Sequence, residues 1–151
     1  MVGVRRLRQL VLTMACLSAL AVQAETNSEP APRIVSLSPH LAELVFAVGA
    51  GDQLIGVSAY TDFPEAASRL PVVGDAFMLD LEQLTLLEPD VLLAWQSGTP
   101  AHVIDELRAH GYTVEVIRTK HLGDVPQALR RIGGLTGQST KANRVRSEEH
   151  T

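Results

Sequence analysis

Residues 33–64 constrain the fold most, because they carry the pattern of a strand, a helix and a second strand in close succession. Residues 33–37 are short, apolar and β-branched, which is typical of a buried strand. Ser38 then supplies a helix N-cap, and Pro39 suits the first helical position. Residues 54–58 again read as a strand. The segment therefore predicts a βαβ unit.

The same alternation continues along the chain. Helical patterns lie at residues 65–69, 80–88, 100–110 and 124–135, and extended patterns lie at residues 91–95 and 112–117. Short loops between strands and helices predict a parallel sheet with right-handed crossovers. The unbroken apolar run at residues 91–95 is typical of a strand covered on both faces. The expected fold class is α/β, a Rossmann-like parallel sheet with helices on both faces.

Residues 1–24 have the pattern of a cleavable export signal. Three early arginines precede an apolar run over residues 10–22, and small residues before Ala24 suit cleavage there. The run is too short to anchor the chain in a bilayer. The only cysteine, Cys16, lies inside this segment, so the mature chain would have no disulfide. Lipidation of Cys16 is the alternative, although residues 12–15 fit that pattern poorly.

Charge and length suit one exported domain. Removal of residues 1–24 takes away three arginines and no acid, which leaves 10 basic and 17 acidic residues. No basic patch or stripe suggests a nucleic acid partner. Residues 25–32 form a polar leader and residues 33–138 form the domain.

The end of the chain looks different from the rest. Residues 139–145 read as the start of another helix, whereas residues 146–151 stop without a cap or a closing apolar face. That hexapeptide matches one reading frame of a common short-read sequencing adapter. We expect it not to belong to the natural protein; a charged, frayed terminus is the alternative.

Aromatic and acidic side chains follow the predicted strands. Tyr60, Asp62 and Phe63 come after the second strand, Trp95 ends the third, and Phe77 lies in the loop before residues 80–88. In a parallel sheet these positions share one edge, where open α/β sheets bind ligands. Rings there suit a large, flat, partly apolar ligand. The alternatives are that Trp95 closes the core, that the rings of residues 60–64 cover it, and that Asp62 makes an Asx-turn.

Nothing in the sequence indicates catalysis or a metal site. His102 and His110 are eight residues apart on one helix, and His40 and His121 are isolated. No serine elbow, phosphate-binding glycine loop or cysteine–histidine pair is present. Glu82 falls in the first turn of a helix, where an acid offsets the helix dipole without a partner.

Several motifs together resemble those of a known family. They are residues 34–39 with Ala42-Glu43, residues 56–58 with residues 60–64, and residues 80–82, 88–90 and 94–95. The stretch from residue 33 to residue 138 resembles the periplasmic cobalamin-binding proteins, which belong to the helical-backbone class of substrate-binding proteins. These proteins capture substrate for vitamin importers of the ATP-binding-cassette type.

The resemblance implies two α/β lobes joined by a long helix, with a corrinoid held in the cleft. This chain would then be the N-terminal lobe, with residues 139–145 opening the linking helix and the second lobe missing. Tyr60 and Trp95 match positions that contact the corrin. Glu82 matches an acid that docks the lobe onto the permease, which replaces the helix-dipole interpretation. A tryptophan of the family is absent here, and Ala76 or Phe77 stands in its place.

The resemblance also implies a monomeric periplasmic protein without a resident cofactor. Its partners would be the corrinoid and the permease subunits in the inner membrane. Haem or a ferric siderophore is the alternative ligand, because relatives that bind them share the strand–helix opening. An exported α/β enzyme is the remaining alternative.

Overall fold

The computed structural model describes residues 30–148. The predicted signal segment, its cleavage point and most of the polar leader lie outside these residues, as do residues 149–151. The strands of the described part are β1 (Ile34–Ser36), β2 (Leu54–Val57), β3 (Val91–Trp95) and β4 (Val114–Ile117). The helices are α1 (Pro39–Ala47), α2 (Glu65–Ser68), α3 (Leu81–Leu87), α4 (Ala101–Ala109), α5 (Val125–Leu135) and α6 (Ser139–Glu148). Short 3₁₀ turns at Gly51–Gln53 and Leu122–Asp124 precede β2 and α5.

The four strands form one parallel sheet in the order β2-β1-β3-β4. The chain moves outward from β1 to β2, then returns past β1 to build β3 and β4 on the other side. The connection that leaves β1 and the connection that leaves β3 therefore run to opposite sides. The gap between the carboxyl ends of these two strands is the topological switch point, where α/β sheets bind ligands. The predicted α/β class and parallel sheet are confirmed.

Helices cover both faces of this sheet, as predicted. Ile34 and Leu93 pack with the apolar sides of α1 and α5. Their strand neighbours Val35 and Leu92 point to the opposite face and pack with α3 and α4. All four side chains are fully buried. The alternation explains why these four side chains are all apolar, since neither face of the sheet meets water there.

Local signals set the helix boundaries. Ser38 has extended backbone and Pro39 begins α1, but the Ser38 hydroxyl does not cap the helix. Asp80 does cap α3, because its carboxylate accepts a hydrogen bond from the Gln83 amide at 2.9 Å. Gly49, which follows α1, has φ +81°, so it supplies the left-handed conformation that ends a helix.

Helix α6 continues the fold beyond residue 138. Its buried Ala142 packs on Gly133 of α5 so closely that a Cβ at Gly133 would lie 2.5 Å from the Ala142 methyl. The helix runs through Glu148 and so includes three residues of the suspected non-native tail. The origin of that tail stays a prediction. Within residues 30–148, no helix is both long and apolar enough to cross a bilayer.

Candidate ligand-binding site

A cavity of about 440 Å³ opens at the carboxyl edge of the sheet. Loops after β1, β2 and β3 and the loop before α3 provide its walls. The lining residues are Leu37, Ser38, Pro39, Ser58, Ala59, Tyr60, Asp75, Ala76, Phe77, Trp95, Gly98 and Thr99. The volume and the mixture of rings with a few polar groups are typical of a small-molecule site.

Trp95 is held firmly in this wall. Its backbone amide donates to the Thr99 hydroxyl at 3.1 Å, and its indole Nε1 donates to the Thr119 carbonyl at 3.4 Å. The ring lies directly over Gly98, where an added Cβ would come within 2.1 Å of it. The half-buried indole also packs against the core, so the core and ligand interpretations of Trp95 are compatible.

Tyr60 and Phe77 project from neighbouring loops with little support. The Tyr60 side chain is 88% exposed and that of Phe77 is 73% exposed. Tyr60 has φ +66°, an uncommon conformation for a bulky residue, and strain of this kind is often found at functional sites. Large rings that neither cover the core nor meet a partner are available to a ligand. Phe63, the other ring of residues 60–64, is exposed as well, so the interpretation that the rings of this turn cover the core is wrong.

Asp75 organises the loop that carries Phe77. Its carboxylate accepts hydrogen bonds from the amides of Phe77 and Met78, both at 2.8 Å. These bonds favour the charged form and lower the pKa of Asp75, so the carboxylate is ionised at neutral pH. The cavity consequently has one fixed negative charge in its wall.

The structure brings together three of the five predicted ligand-contacting residues. Tyr60, Phe77 and Trp95 all line the cavity. Asp62 and Phe63 lie in the same loop as Tyr60 and are exposed, with Phe63 64% exposed, but neither is part of the lining. Contact of any of the five with a ligand stays a prediction.

Sequence reasoning missed His40, which it treated as isolated. The His40 ring meets the Trp95 ring edge-on, with centroids 4.7 Å apart and an interplanar angle of 76°. Its Nδ1 lies 2.7 Å from the Ser38 hydroxyl and its Nε2 lies 3.2 Å from the Thr119 hydroxyl. Thr119 is 79 residues away along the chain. No sequence spacing could have indicated this contact.

The Ser38–His40 contact bears on the enzyme alternative. A serine hydroxyl beside an imidazole is the first element of a nucleophile–base pair. The other ring nitrogen meets a threonine hydroxyl, however, whereas a catalytic triad places a carboxylate there to stabilise the imidazolium. Among the described residues, no cluster of three histidine, cysteine or acidic side chains is suitable for a metal ion.

His40 should make the emission of Trp95 dependent on pH. Burial lowers the pKa of His40 below its ordinary value of 6.5. The unfolded chain therefore binds this proton first, and the free energy of unfolding should fall as pH drops below 6.5. Protonated imidazole quenches indole strongly, so we expect the emission of the single tryptophan to fall in an acid transition that His40→Asn abolishes.

The matched control for this titration is His121→Asn. His121 and Lys120 line a second hollow of about 350 Å³ together with His40 and Trp95, so they are titratable groups that share surroundings with the ring pair. The transition should persist in His121→Asn. If it vanished there and persisted in His40→Asn, the assignment to His40 would be wrong.

Glu82 lies in the first turn of α3 and is exposed. Among the described residues it has neither an ion-pair partner nor a hydrogen-bond partner for its side chain. At this position the carboxylate offsets the helix dipole without a partner, and it is also accessible to another protein. The docking role stays a prediction.

The fold is an α/β lobe with a cavity at the switch point of its sheet. A sequence profile of the periplasmic binding protein family matches residues 34–148. The chain belongs to that family. The resemblance inferred from the motifs is thus confirmed, and the family is one of binding proteins.

Individual relatives point in the same direction. The vitamin B12-binding protein of Vibrio vulnificus strain YJ016 is 36% identical over 121 residues, which is 79% of this chain and 44% of that protein. The corresponding protein of Pectobacterium carotovorum strain PC1 is 34% identical over 116 residues, 77% of this chain and 42% of that protein. This chain thus spans less than half the length of these relatives.

Solved structures have the same lobe. The periplasmic vitamin B12-binding protein of Vibrio cholerae superposes with a TM-score of 0.72 at 31% identity, covering 79% of this chain and 47% of that one. A periplasmic haem-binding protein of Pseudomonas aeruginosa gives a TM-score of 0.69 at 30% identity, covering 76% and 41%. The backbone similarity therefore does not separate the two ligand classes.

Proposed function

We propose that this chain is the N-terminal lobe of a periplasmic protein that captures a corrinoid and delivers it to the permease of an ATP-binding-cassette importer. The observation that carries the proposal is the convergence of Tyr60, Phe77 and Trp95 on one cavity at the switch point. Rings of this kind suit a flat macrocycle. The names of the two vitamin B12-binding relatives support the corrinoid as the ligand.

In the complete protein, a second lobe would follow α6 and close the cavity from the opposite side. Ligand binding would be noncovalent, with rings against the macrocycle and polar groups at its edge. We expect a monomer in the periplasm with no resident cofactor, since the corrinoid is cargo. Haem is the second candidate, because the haem-binding protein of Pseudomonas aeruginosa matches this lobe almost as well. A ferric siderophore and an exported enzyme remain less supported alternatives.

Titration of the complete protein with cyanocobalamin, and separately with haem, tests the proposal. Saturable quenching of Trp95 emission by cyanocobalamin, confirmed by calorimetry, is the expected result. A shifted Soret band with haem and no heat with cyanocobalamin would select the haem alternative. Turnover of ester substrates that is lost in Ser38→Ala would instead favour the enzyme.

Glu82 is the residue through which this lobe would dock onto the permease. Replacement by lysine reverses an exposed charge outside the cavity lining, so ligand affinity should stay within about twofold. Transport into proteoliposomes that contain the permease should fall about tenfold or more, because the lysine would repel basic groups on the partner. Glu43→Lys is the matched control, since Glu43 is exposed on α1, which packs on the other face of the sheet. Equal transport by both variants would contradict the docking role.

A further inference from the structure

Buried hydroxyl groups are concentrated at the carboxyl edge of the sheet, and nearly all of them have partners inside the protein. The Ser36 hydroxyl donates to the Ser38 carbonyl at 2.7 Å, and the Ser38 hydroxyl meets His40. The Thr99 hydroxyl accepts the amide of Trp95. Ser58 is different. Its side chain is only 3% exposed, and its Oγ has no hydrogen-bond partner among the described residues.

Ser58 also lines the cavity, as do Ala59 and Phe77. One other buried side-chain atom of the described residues lacks a partner, Gln53 Oε1. Gln53 precedes β2, at the opposite end of the strand from Ser58, and is not part of the lining. Ser58 Oγ is itself buried in the ligand-free protein, but Ser58 belongs to the cavity wall, so rotation about its Cα–Cβ bond is the movement that would bring the unpaired hydroxyl to a bound molecule.

The backbone on both sides of Ser58 is held by hydrogen bonds. The Val57 amide donates to the Pro71 carbonyl at 2.9 Å, and the Ala59 amide donates to the Gly74 carbonyl at 2.6 Å. The Ser58 carbonyl accepts the Thr61 hydroxyl at 2.8 Å. Bonds on both sides fix the position of its Cβ. A buried hydroxyl left unpaired in a fixed backbone lowers stability, and a ligand that supplies the missing bond recovers that loss.

The charge in the cavity wall limits which ligand group can pair with Ser58. Asp75 lines the same cavity and its carboxylate is held in the charged form by two backbone amides. A second carboxylate bound in the same cavity would meet this like charge and would be disfavoured relative to a neutral group. A carboxamide is neutral, and its N–H and C=O groups match a hydroxyl that both donates and accepts.

We propose that Ser58 is a specificity residue of this site, and that its hydroxyl pairs with a peripheral carboxamide of the bound macrocycle. The inference rests on the proposed function and deepens it, because corrinoids carry carboxamides at their edge whereas haem carries carboxylates. The hydroxyl contributes nothing to the ligand-free fold in this view. Its role is to favour the amide-bearing macrocycle over the acidic one.

The test is Ser58→Ala in the complete protein, measured in two ways. Removal of an unpaired hydroxyl should leave the midpoint of denaturant unfolding of the ligand-free protein unchanged or raised. The Kd for cyanocobalamin should increase about 3- to 10-fold, the effect of losing one hydrogen bond. The matched control is Ser36→Ala, which removes a hydroxyl bonded within the protein and should lower the unfolding midpoint.

Three results would overturn the proposed role of Ser58. Unchanged affinity for cyanocobalamin in Ser58→Ala, with normal binding by the wild type, overturns the role of Ser58 and leaves the proposed function standing. Loss of ligand-free stability as large as in Ser36→Ala overturns it too, because the hydroxyl would then be paired inside the protein. A wild-type protein that binds haem and not cyanocobalamin, or binds neither, overturns both the inference and the corrinoid assignment.

Discussion

Replacement of Trp95 by alanine should weaken cyanocobalamin binding by the complete protein about 30-fold or more. The indole provides a large apolar face in the wall of the cavity, and truncation of such an anchor typically costs about 2 kcal/mol or more of binding free energy. Because the half-buried ring also packs against the core, the unfolding midpoint should fall as well, so affinity is compared under conditions where both proteins are folded. Isothermal calorimetry is the suitable measurement, since the variant lacks the only tryptophan.

Two comparison variants sharpen this expectation. Trp95→Phe keeps an aromatic face, so its affinity for cyanocobalamin should fall about fivefold or less. Phe63→Ala removes an exposed ring from the neighbouring loop outside the lining, so its effect should be smaller than that of Trp95→Ala. Equal Kd values for the wild type and Trp95→Ala would remove the cavity from consideration as the corrinoid site.

Replacement of Gly74 by alanine should destabilise the protein by about 3 kcal/mol or more. Gly74 has φ +111°, a conformation that side chains rarely adopt. An added Cβ would also lie 2.2 Å from the Met78 carbonyl oxygen, and that atom belongs to the backbone of the same loop. Because the Gly74 carbonyl accepts the Ala59 amide beside Ser58, the distortion should reach the cavity and weaken ligand binding as well. Denaturant unfolding measures the first effect and calorimetry the second.

Gly111→Ala separates the cost of the backbone conformation from the cost of the close contact with the Met78 carbonyl. Gly111 has φ +91° after α4, yet an added Cβ would meet nothing within 4 Å. Its replacement should therefore cost only the backbone strain, about 1–2 kcal/mol, and should leave ligand affinity unchanged. An equal fall in the free energy of unfolding of both variants would show that the close contact with the Met78 carbonyl does not add to the destabilisation.

The sequence was sufficient to predict the architecture because hydrophobic pattern and turn residues are local signals. The unbroken run of β3 predicted burial on both faces, and Leu92 and Leu93 pack into opposite layers of the core. The helical pattern at residues 80–88 predicted α3, and Asp80 caps this helix by accepting a hydrogen bond from the Gln83 amide. Ser38 gave an equally good N-cap signal, but its hydroxyl pairs with His40 instead.

The site was predictable only in part, since its contacts join distant segments. Tyr60, Phe77 and Trp95 could be placed on one edge by topology alone. The contact of His40 with Thr119 and the unpaired state of the Ser58 hydroxyl depend on distances that no pattern encodes. Asp62 and Phe63 share the loop of Tyr60 but not the cavity, because neighbouring side chains of an irregular loop point in different directions.

The support around Trp95 has a consequence for the thermodynamics of capture. An indole already packed against His40 and Gly98 loses little rotamer freedom when a macrocycle arrives, whereas immobilising a free side chain costs about 0.5–1.5 kcal/mol. Tyr60 and Phe77 lack such support and must be ordered by the ligand. In the proposed complex, contact with Trp95 should therefore carry the lowest entropic cost, and contact with each of the two exposed rings a higher one.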